Sequence, residues 1–274
     1  MHPLIRRLVF GVLPAGAIRT LRRWHAPRVA ARFTDADWPY AEFVRSVVKP
    51  GDTVIDVGAN MGYITARLAD YVGPQGKVIA VEPIPDTFAS LESTVSKLGL
   101  RQVQPIHACV SSQPGRVEME IPADDAGAEN LYESSIIDPA QPAQGRRVTV
   151  PALTLNTLLK TTDDGRPTTD DGRRTTDDGR LTTDEARISF IKIDVEGHEL
   201  AVVQGADELL QVQRPVLLIE VAGNPDEPDA IAAQLFRELD RWGYRPFHLV
   251  GDRLQPRQTG DQAVDYWFIA EGAS

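Results

Sequence analysis

The sequence predicts an α/β protein built on a mostly parallel sheet with helices on both faces. Three observations carry that prediction: short, continuously apolar runs bounded by turn residues, helical stretches between them, and acids at the carboxyl ends of several runs. Strands that are apolar throughout are buried on both faces, as in a parallel sheet covered by crossover helices.

Thr53–Val57 is the first apolar run, followed by glycines and a helical stretch, Tyr63–Tyr71. Lys77–Val81 is the next strand. Asp86–Leu98 is a helix, with Phe88, Leu91, Val95 and Leu98 at helical spacing. Val103–Ala108 is a third strand. Residues 110–155 break the rhythm, because Val117–Ile121 and Arg147–Pro151 look like exposed strands enclosing a polar loop, Ala123–Gly145. This insertion is expected to form a hairpin or lid over a site and to select what binds there. Arg187–Asp194 and Pro215–Val221 are two further apolar strands, with a helix over Leu200–Leu210 between them. Ala230–Trp242 is a final amphipathic helix and Tyr266–Ala270 a late strand.

Residues 161–188 hold four heptapeptides, TTDDGRP, TTDDGRR, TTDDGRL and TTDEARI. No position is apolar in every copy, so there is no coiled-coil seam. The calcium-loop spacings are absent as well. Thr, Asp, Gly and Arg bury too little apolar surface to offset ordering entropy, so a flexible surface insertion is expected.

A chain of 274 residues, 42% apolar and 25% charged, buries an ordinary globular core. Its net charge of −10 argues against a general nucleic-acid binder, which needs a basic surface. The single cysteine, Cys109, excludes an internal disulfide and a cysteine-built zinc site, and suits a reducing compartment. Charge is segregated. Residues 1–32 hold seven arginines and no acid, so the rest of a chain of net charge −10 carries −17. The apolar run Leu8 to Ile18 faintly resembles a signal peptide, but Pro14 breaks it and arginines follow at once. It is too short to span a bilayer. The favoured reading of residues 1–40 is a basic helical segment packed on the main domain, residues 41–274. A second reading lays that helix on an anionic membrane surface.

The segment Val54-Ile-Asp-Val-Gly-Ala-Asn-Met-Gly-Tyr63 ends a buried strand in a glycine turn that opens a helix. Open α/β sheets bind ligands at such strand ends. Glu82 closes the next strand, twenty residues past Gly62, where a carboxylate accepts both hydroxyls of a ribose. A dinucleotide site prefers Gly-x-Gly-x-x-Gly for its pyrophosphate. Here Asn60 replaces a glycine and Asp56 adds negative charge, which suits a ligand carrying an ammonium and a sulfonium better than phosphates. The plainer roles are a capped turn for Asp56 and a solvated strand end for Glu82.

The second constellation is Phe190-Ile-Lys-Ile-Asp-Val-Glu-Gly-His-Glu199. An early helix start would put Asp194 and His198 on one face. Either is a candidate base for an acceptor hydroxyl, and acids this close are candidate ligands for a cation such as magnesium. The plainer reading makes Asp194 a helix cap and His198 a surface histidine. Glu220 ends Val216–Val221 on the same rim and is a further candidate metal ligand beside Asp194. His107, at the end of the third strand, is placed where it can pack near an adenine.

These segments resemble the FkbM family of methyltransferases. The matching pieces are Lys49–Tyr63, Val81-Glu-Pro83, Ile191–Glu199 and Leu218-Ile-Glu-Val221, and Leu153-Thr-Leu-Asn-Thr-Leu-Leu159 is similar to that family's Thr-Leu-Asp segment with Asn156 for the aspartate. The resemblance covers roughly residues 40–270 and leaves out the heptapeptides. It implies a class I methyltransferase fold, S-adenosylmethionine as donor, and O-methylation of a sugar, glycolipid, glycan or natural-product hydroxyl in the cytoplasm, or at the inner membrane face if the N-terminus docks there. It also implies that Asp56, Gly58, Asn60, Gly62 and Tyr63 line the methionine end of the cofactor and that Glu82 holds the ribose. Asp194, Glu196, His198 and Glu220 would surround the acceptor. Two competing readings are a catalytically inactive cofactor binder, supported by Asn156 and the insertion, and an NAD-dependent oxidoreductase.

Overall fold

The computed structural model describes residues 15–122, 129–130, 134–137, 145–158, 174–175, 181–182, 187–251 and 253–272. Helix α1, Ala15–Ala30, leads through a short turn to α2, Ala41–Val47. The unit β1 Thr53–Val57, α3 Tyr63–Val72, β2 Lys77–Val81, α4 Pro85–Leu98 and β3 Val103–Ile106 follows, as the apolar runs predict. Then come β4 Cys109–Val110, β5 Gly115–Pro122, β6 Ser135–Ile136, β7 Gly145–Leu153 and the single turn α5, Leu155–Leu158. The described parts of the heptapeptides are β8 Arg174–Thr175 and β9 Leu181–Thr182. The chain closes with β10 Ile188–Ile193, α6 Glu199–Gln204, α7 Asp207–Val212, β11 Val216–Glu220, α8 Ile231–Arg241, β12 Tyr244–Val250, β13 Arg253–Pro256 and β14 Asp265–Ala270.

The main sheet has the order β13-β12-β14-β11-β10-β1-β2-β3. β1, β2, β3, β10 and β11 run parallel, while β14 inserts antiparallel between β11 and β12. Strand order reverses between β1 and β10, so the first crevice opens at their carboxyl ends. Side chains alternate across the strands. Ile55, Val57, Ile191 and Ile193 pack with Val202, Leu210 and Leu235 on one face, and Val54, Phe190 and Leu218 pack with Leu68, Leu91 and Trp267 on the other.

A second, four-stranded sheet has the order β4-β7-β5-β6, with β5 and β7 antiparallel over their whole length. It carries Met119 and Ile136 across the crevice. The rest of the polar loop 123–145 and of residues 161–188, and the apolar run before Ala15, lie outside the described residues.

Two local expectations change. The strand expected over Val103–Ala108 ends at Ile106, and Cys109–Val110 pairs with β7 in the second sheet instead. The helix expected over Leu200–Leu210 is two helices, broken at Gly205, where a Cβ would lie 2.2 Å from the Ser111 carbonyl oxygen. Strands β12 and β13 carry no continuous apolar run; β12 pairs with β14, and β13 pairs with β12 at the exposed edge of the sheet. Among the described residues of the heptapeptides, β8 and β9 pair antiparallel.

Candidate active site

The crevice is walled by the carboxyl ends of β1, β2, β10 and β11 and roofed by the second sheet; Gly58, Asn60, Glu82, Asp194, Glu196, His198 and Glu220 all line it. Gly58 has φ +76, and a Cβ there would lie 1.8 Å from the Asp194 carbonyl oxygen, so glycine is required for β1 to turn against β10. Asn60 also sits in left-handed backbone, φ 51, which asparagine tolerates better than most residues. That explains its presence where a dinucleotide motif has glycine. Glu82 is 5% exposed and accepts the amides of Asn60 at 3.0 Å and Ile84 at 2.9 Å. Burial pushes its carboxyl up to about 7 against those two bonds, which favour the charge.

Asp56 does not line the crevice. It is fully buried, accepts the Thr65 hydroxyl at 2.6 Å and faces Lys192 Nζ at 3.6 Å. The register pairs Asp56 directly with Lys192, so the two side chains meet on the α3 face of the sheet. Lys192 Nζ also donates to Asp194 Oδ2 at 3.0 Å and to the Gly58 carbonyl at 3.3 Å. Burial opposes its charge, but Asp56, Asp194 and Glu220 outweigh it and raise the pKa. One ammonium therefore ties the glycine turn to the acid at the end of β10. Charged side chains are rarely buried unless paired, and a lysine inside Ile188–Ile193 was the available signal for this role.

Asp194, Glu196 and Glu220 each present an oxygen within 4.8 Å of the others. Burial, then the charges of Asp194, Asp265 and Glu196, push Glu220 up to about 7. Asp265, opposite Glu220 in the ladder, is raised by burial and accepts the Tyr40 hydroxyl at 2.7 Å. Tyr40 and Asp265 carry no motif and could not be found by spacing.

His198 is not on a helix with Asp194. Helix α6 begins at Glu199, and Glu196 and Gly197 intervene in left-handed backbone, φ 52 and φ 92. His198 nevertheless lines the crevice, with Nε2 at 3.0 Å from the Ser111 hydroxyl. Burial lowers its pKa, so the ring is neutral at neutral pH. Its ring partner is thus a serine brought in by the second sheet, not a carboxylate. Glu199 turns away to accept the Gly197 amide at 2.7 Å.

Gly62 and Tyr63 do not line the crevice. Gly62 opens α3 and packs against Leu91, where a Cβ would lie 2.8 Å from Cδ1. The Tyr63 ring lies 6.3 Å from Phe33 and its hydroxyl meets Met61 sulfur. His107 is stacked on Phe88 at 4.8 Å and bonds the Pro83 carbonyl oxygen. Asn156 accepts the Leu209 amide at 3.1 Å and donates to Asp207, so it braces the start of α7 and bears on no crevice group.

The strand order, the glycine turn after β1 and the glutamate ending β2 define a class I methyltransferase fold. A model of the methyltransferase FkbM domain matches residues 56–246. The chain belongs to this family of S-adenosylmethionine-dependent methyltransferases. It is also similar to protein-L-isoaspartate O-methyltransferases. It is 42% identical over 59 residues to that of Methanococcus aeolicus, covering 22% of this chain and 27% of the relative. It is 32% identical over 125 residues to that of Aeropyrum pernix, covering 43% and 46%. The chain thus spans less than half the length of either relative. A solved methyltransferase FkbM from Methylobacillus flagellatus KT is similar at 16% identity and a TM-score of 0.45, over 94% of this chain and 62% of that one.

Proposed function

We propose that this chain transfers the methyl group of S-adenosylmethionine to a hydroxyl of a sugar, glycan, glycolipid or hydroxylated natural product. The observation that carries the reading is His198, a neutral imidazole on the crevice wall opposite the Glu82 side, with Asp194, Glu196 and Glu220 beside it. The polar groups of the first wall fit the cofactor: Glu82 would hold the ribose hydroxyls, with Gly58 and Asn60 lining the same side. S-adenosylmethionine supplies a methyl already activated by its sulfonium, so the chain's task is alignment. Carboxylate oxygens of the acidic wall accept acceptor hydroxyls and fix their direction. His198 receives the proton that the attacking oxygen loses. Asp194 is already held by Lys192 Nζ at 3.0 Å, so its part is to orient.

The test is S-adenosylhomocysteine formation by the full chain with sugar, glycolipid and hydroxylated small-molecule fractions, followed by mass spectrometry of the product. A methyl on an acceptor oxygen supports the reading. Methylation of an isoaspartyl peptide in their place moves the acceptor to the class named for the relatives. Cofactor binding without turnover supports the inactive reading, which has lost Asn156 as an argument. A preference for NAD overturns the cofactor. A divalent cation such as magnesium is a second reading of the acidic wall, favoured by its oxygens lying within 4.8 Å. Turnover that survives a chelator removes it.

A further inference from the structure

Helix α1 is two-sided in a way the reaction does not use. Its inner side is anchored. Arg19 pairs with Asp86 at 3.2 Å and Glu129 at 3.4 Å, and Arg22 donates to the Glu129 carbonyl. Arg146 of β7 joins the same two acids, so the helix is held to α4 and to the sheet that roofs the crevice. Its outer side holds Leu21, 43% exposed, and Trp24, 56% exposed, with the Arg28 guanidinium 3.5 Å over the Trp24 ring. Positions 21, 24 and 28 fall on one face of a helix. Exposed Arg23, Arg28 and Arg32 have no carboxylate partner among the described residues. The amino-terminal chain that enters this helix adds Arg6 and Arg7 among Leu4, Ile5, Leu8, Val9 and Phe10.

We propose that the outer face of α1 docks on an anionic lipid surface. Charge complementarity selects that occupant: residues 1–32 hold seven arginines and no acid, whereas the rest of a chain of net charge −10 is acidic and repels an anionic surface. A tryptophan flanked by arginines is the side-chain set that settles at headgroup depth, ring in the interface and guanidinium on phosphate. Among the described residues no helix is long and apolar enough to cross a membrane, so the contact is peripheral. Because Arg19, Arg22 and Arg146 share Glu129, docking sets the roof of the crevice beside the lipid surface.

The test is co-flotation of the full chain with phosphatidylcholine vesicles, with and without phosphatidylglycerol. Binding is expected only to vesicles containing phosphatidylglycerol and should fall as salt rises. Trp24→Ser together with Leu21→Ser should weaken it about fivefold, and Arg28→Gln with Arg32→Gln about tenfold or more. These side chains are exposed, so circular dichroism should report the wild-type fold in each variant. Equal binding to both vesicle types, no binding, or binding unchanged in both variants overturns the proposal. So does a Trp24-dependent dimer in sedimentation velocity, which would assign the face to a second copy of the chain.

Discussion

The two walls of the crevice differ in how their charges are satisfied. On the β1–β2 side every acid is already engaged: Glu82 by two backbone amides, Asp56 by Thr65 and Lys192. On the β10–β11 side Asp194, Glu196 and Glu220 crowd within 4.8 Å, with Lys192 Nζ 3.0 Å from Asp194. In the first wall the Glu82 carboxylate is held by the amides of Asn60 and Ile84. In the second, burial and the charges of Asp194, Asp265 and Glu196 raise the Glu220 pKa, and hydroxyl donors or positive charge would relieve that repulsion. A transferase needs both kinds of wall, one to hold the donor in fixed register and one to engage the acceptor where charge develops.

The contrast is broken most severely at Lys192, which serves both walls. Lys192→Met leaves Asp56 buried without its counter-ion, and loss of one partner of a buried pair costs about 3–5 kcal/mol. Denaturant unfolding should show that loss, and adding Asp56→Asn should recover most of it. A single variant as stable as wild type would mean the ammonium is not the shared anchor.

His198→Ala sharpens the contrast from the acceptor side. Turnover should fall about 10²–10⁴-fold, the usual contribution of a positioned base, while cofactor affinity by calorimetry stays within a few-fold. Equal losses in both would place His198 on the donor wall instead. Because burial lowers its pKa, the acid limb of the activity profile should lie below the ordinary histidine value of 6.5.

Glu82→Gln probes the wall proposed to hold the donor, and cofactor affinity should drop about tenfold, the worth of one good hydrogen bond to a charged group. The pH dependence has a definite sign. The folded-state pKa is raised from 4.5 to about 7, so the folded chain holds a proton that the unfolded chain has released. The associated stability is complete below about pH 4.5 and is lost as pH rises through about 7. Wild type should therefore lose more stability than Glu82→Gln between those limits, read as melting temperature. The smallest effect is expected at Glu220, which is half-buried. Glu220→Gln removes repulsion among the acids and should raise stability by less than about 1 kcal/mol after solvent screening. A clear loss would show that this carboxylate is held by attraction.

Much of this arrangement was legible in residue order. Apolar runs at 53–57, 77–81, 188–193 and 216–220 are strands, because only sheet covered on both faces tolerates continuous apolar sequence. Acids that end such runs lie on one rim, so Glu82, Asp194 and Glu220 meet at the crevice. Asp56 ends a run as well, but strand alternation turns it under α3, and the sheet register decides what it meets there. The helix expected across Leu200–Leu210 shows the same limit, since it breaks at Gly205, where the Ser111 backbone packs and the Asn156 amide donates to the Gly205 carbonyl.

Residue order encodes what is local: strand and helix periods, the glycine turn, the chemical types at each strand end, and the basic character of the first 32 residues. Tertiary structure alone decided the pairings. Lys192 against Asp56 and Asp194, Ser111 against His198, Tyr40 against Asp265, and Glu129 between Arg19 and Arg146 join residues from separate elements. Short-range patterning records what a segment buries. The partner of a buried charge is chosen by strand register and by loops packing from elsewhere, and that information is spread over the whole chain.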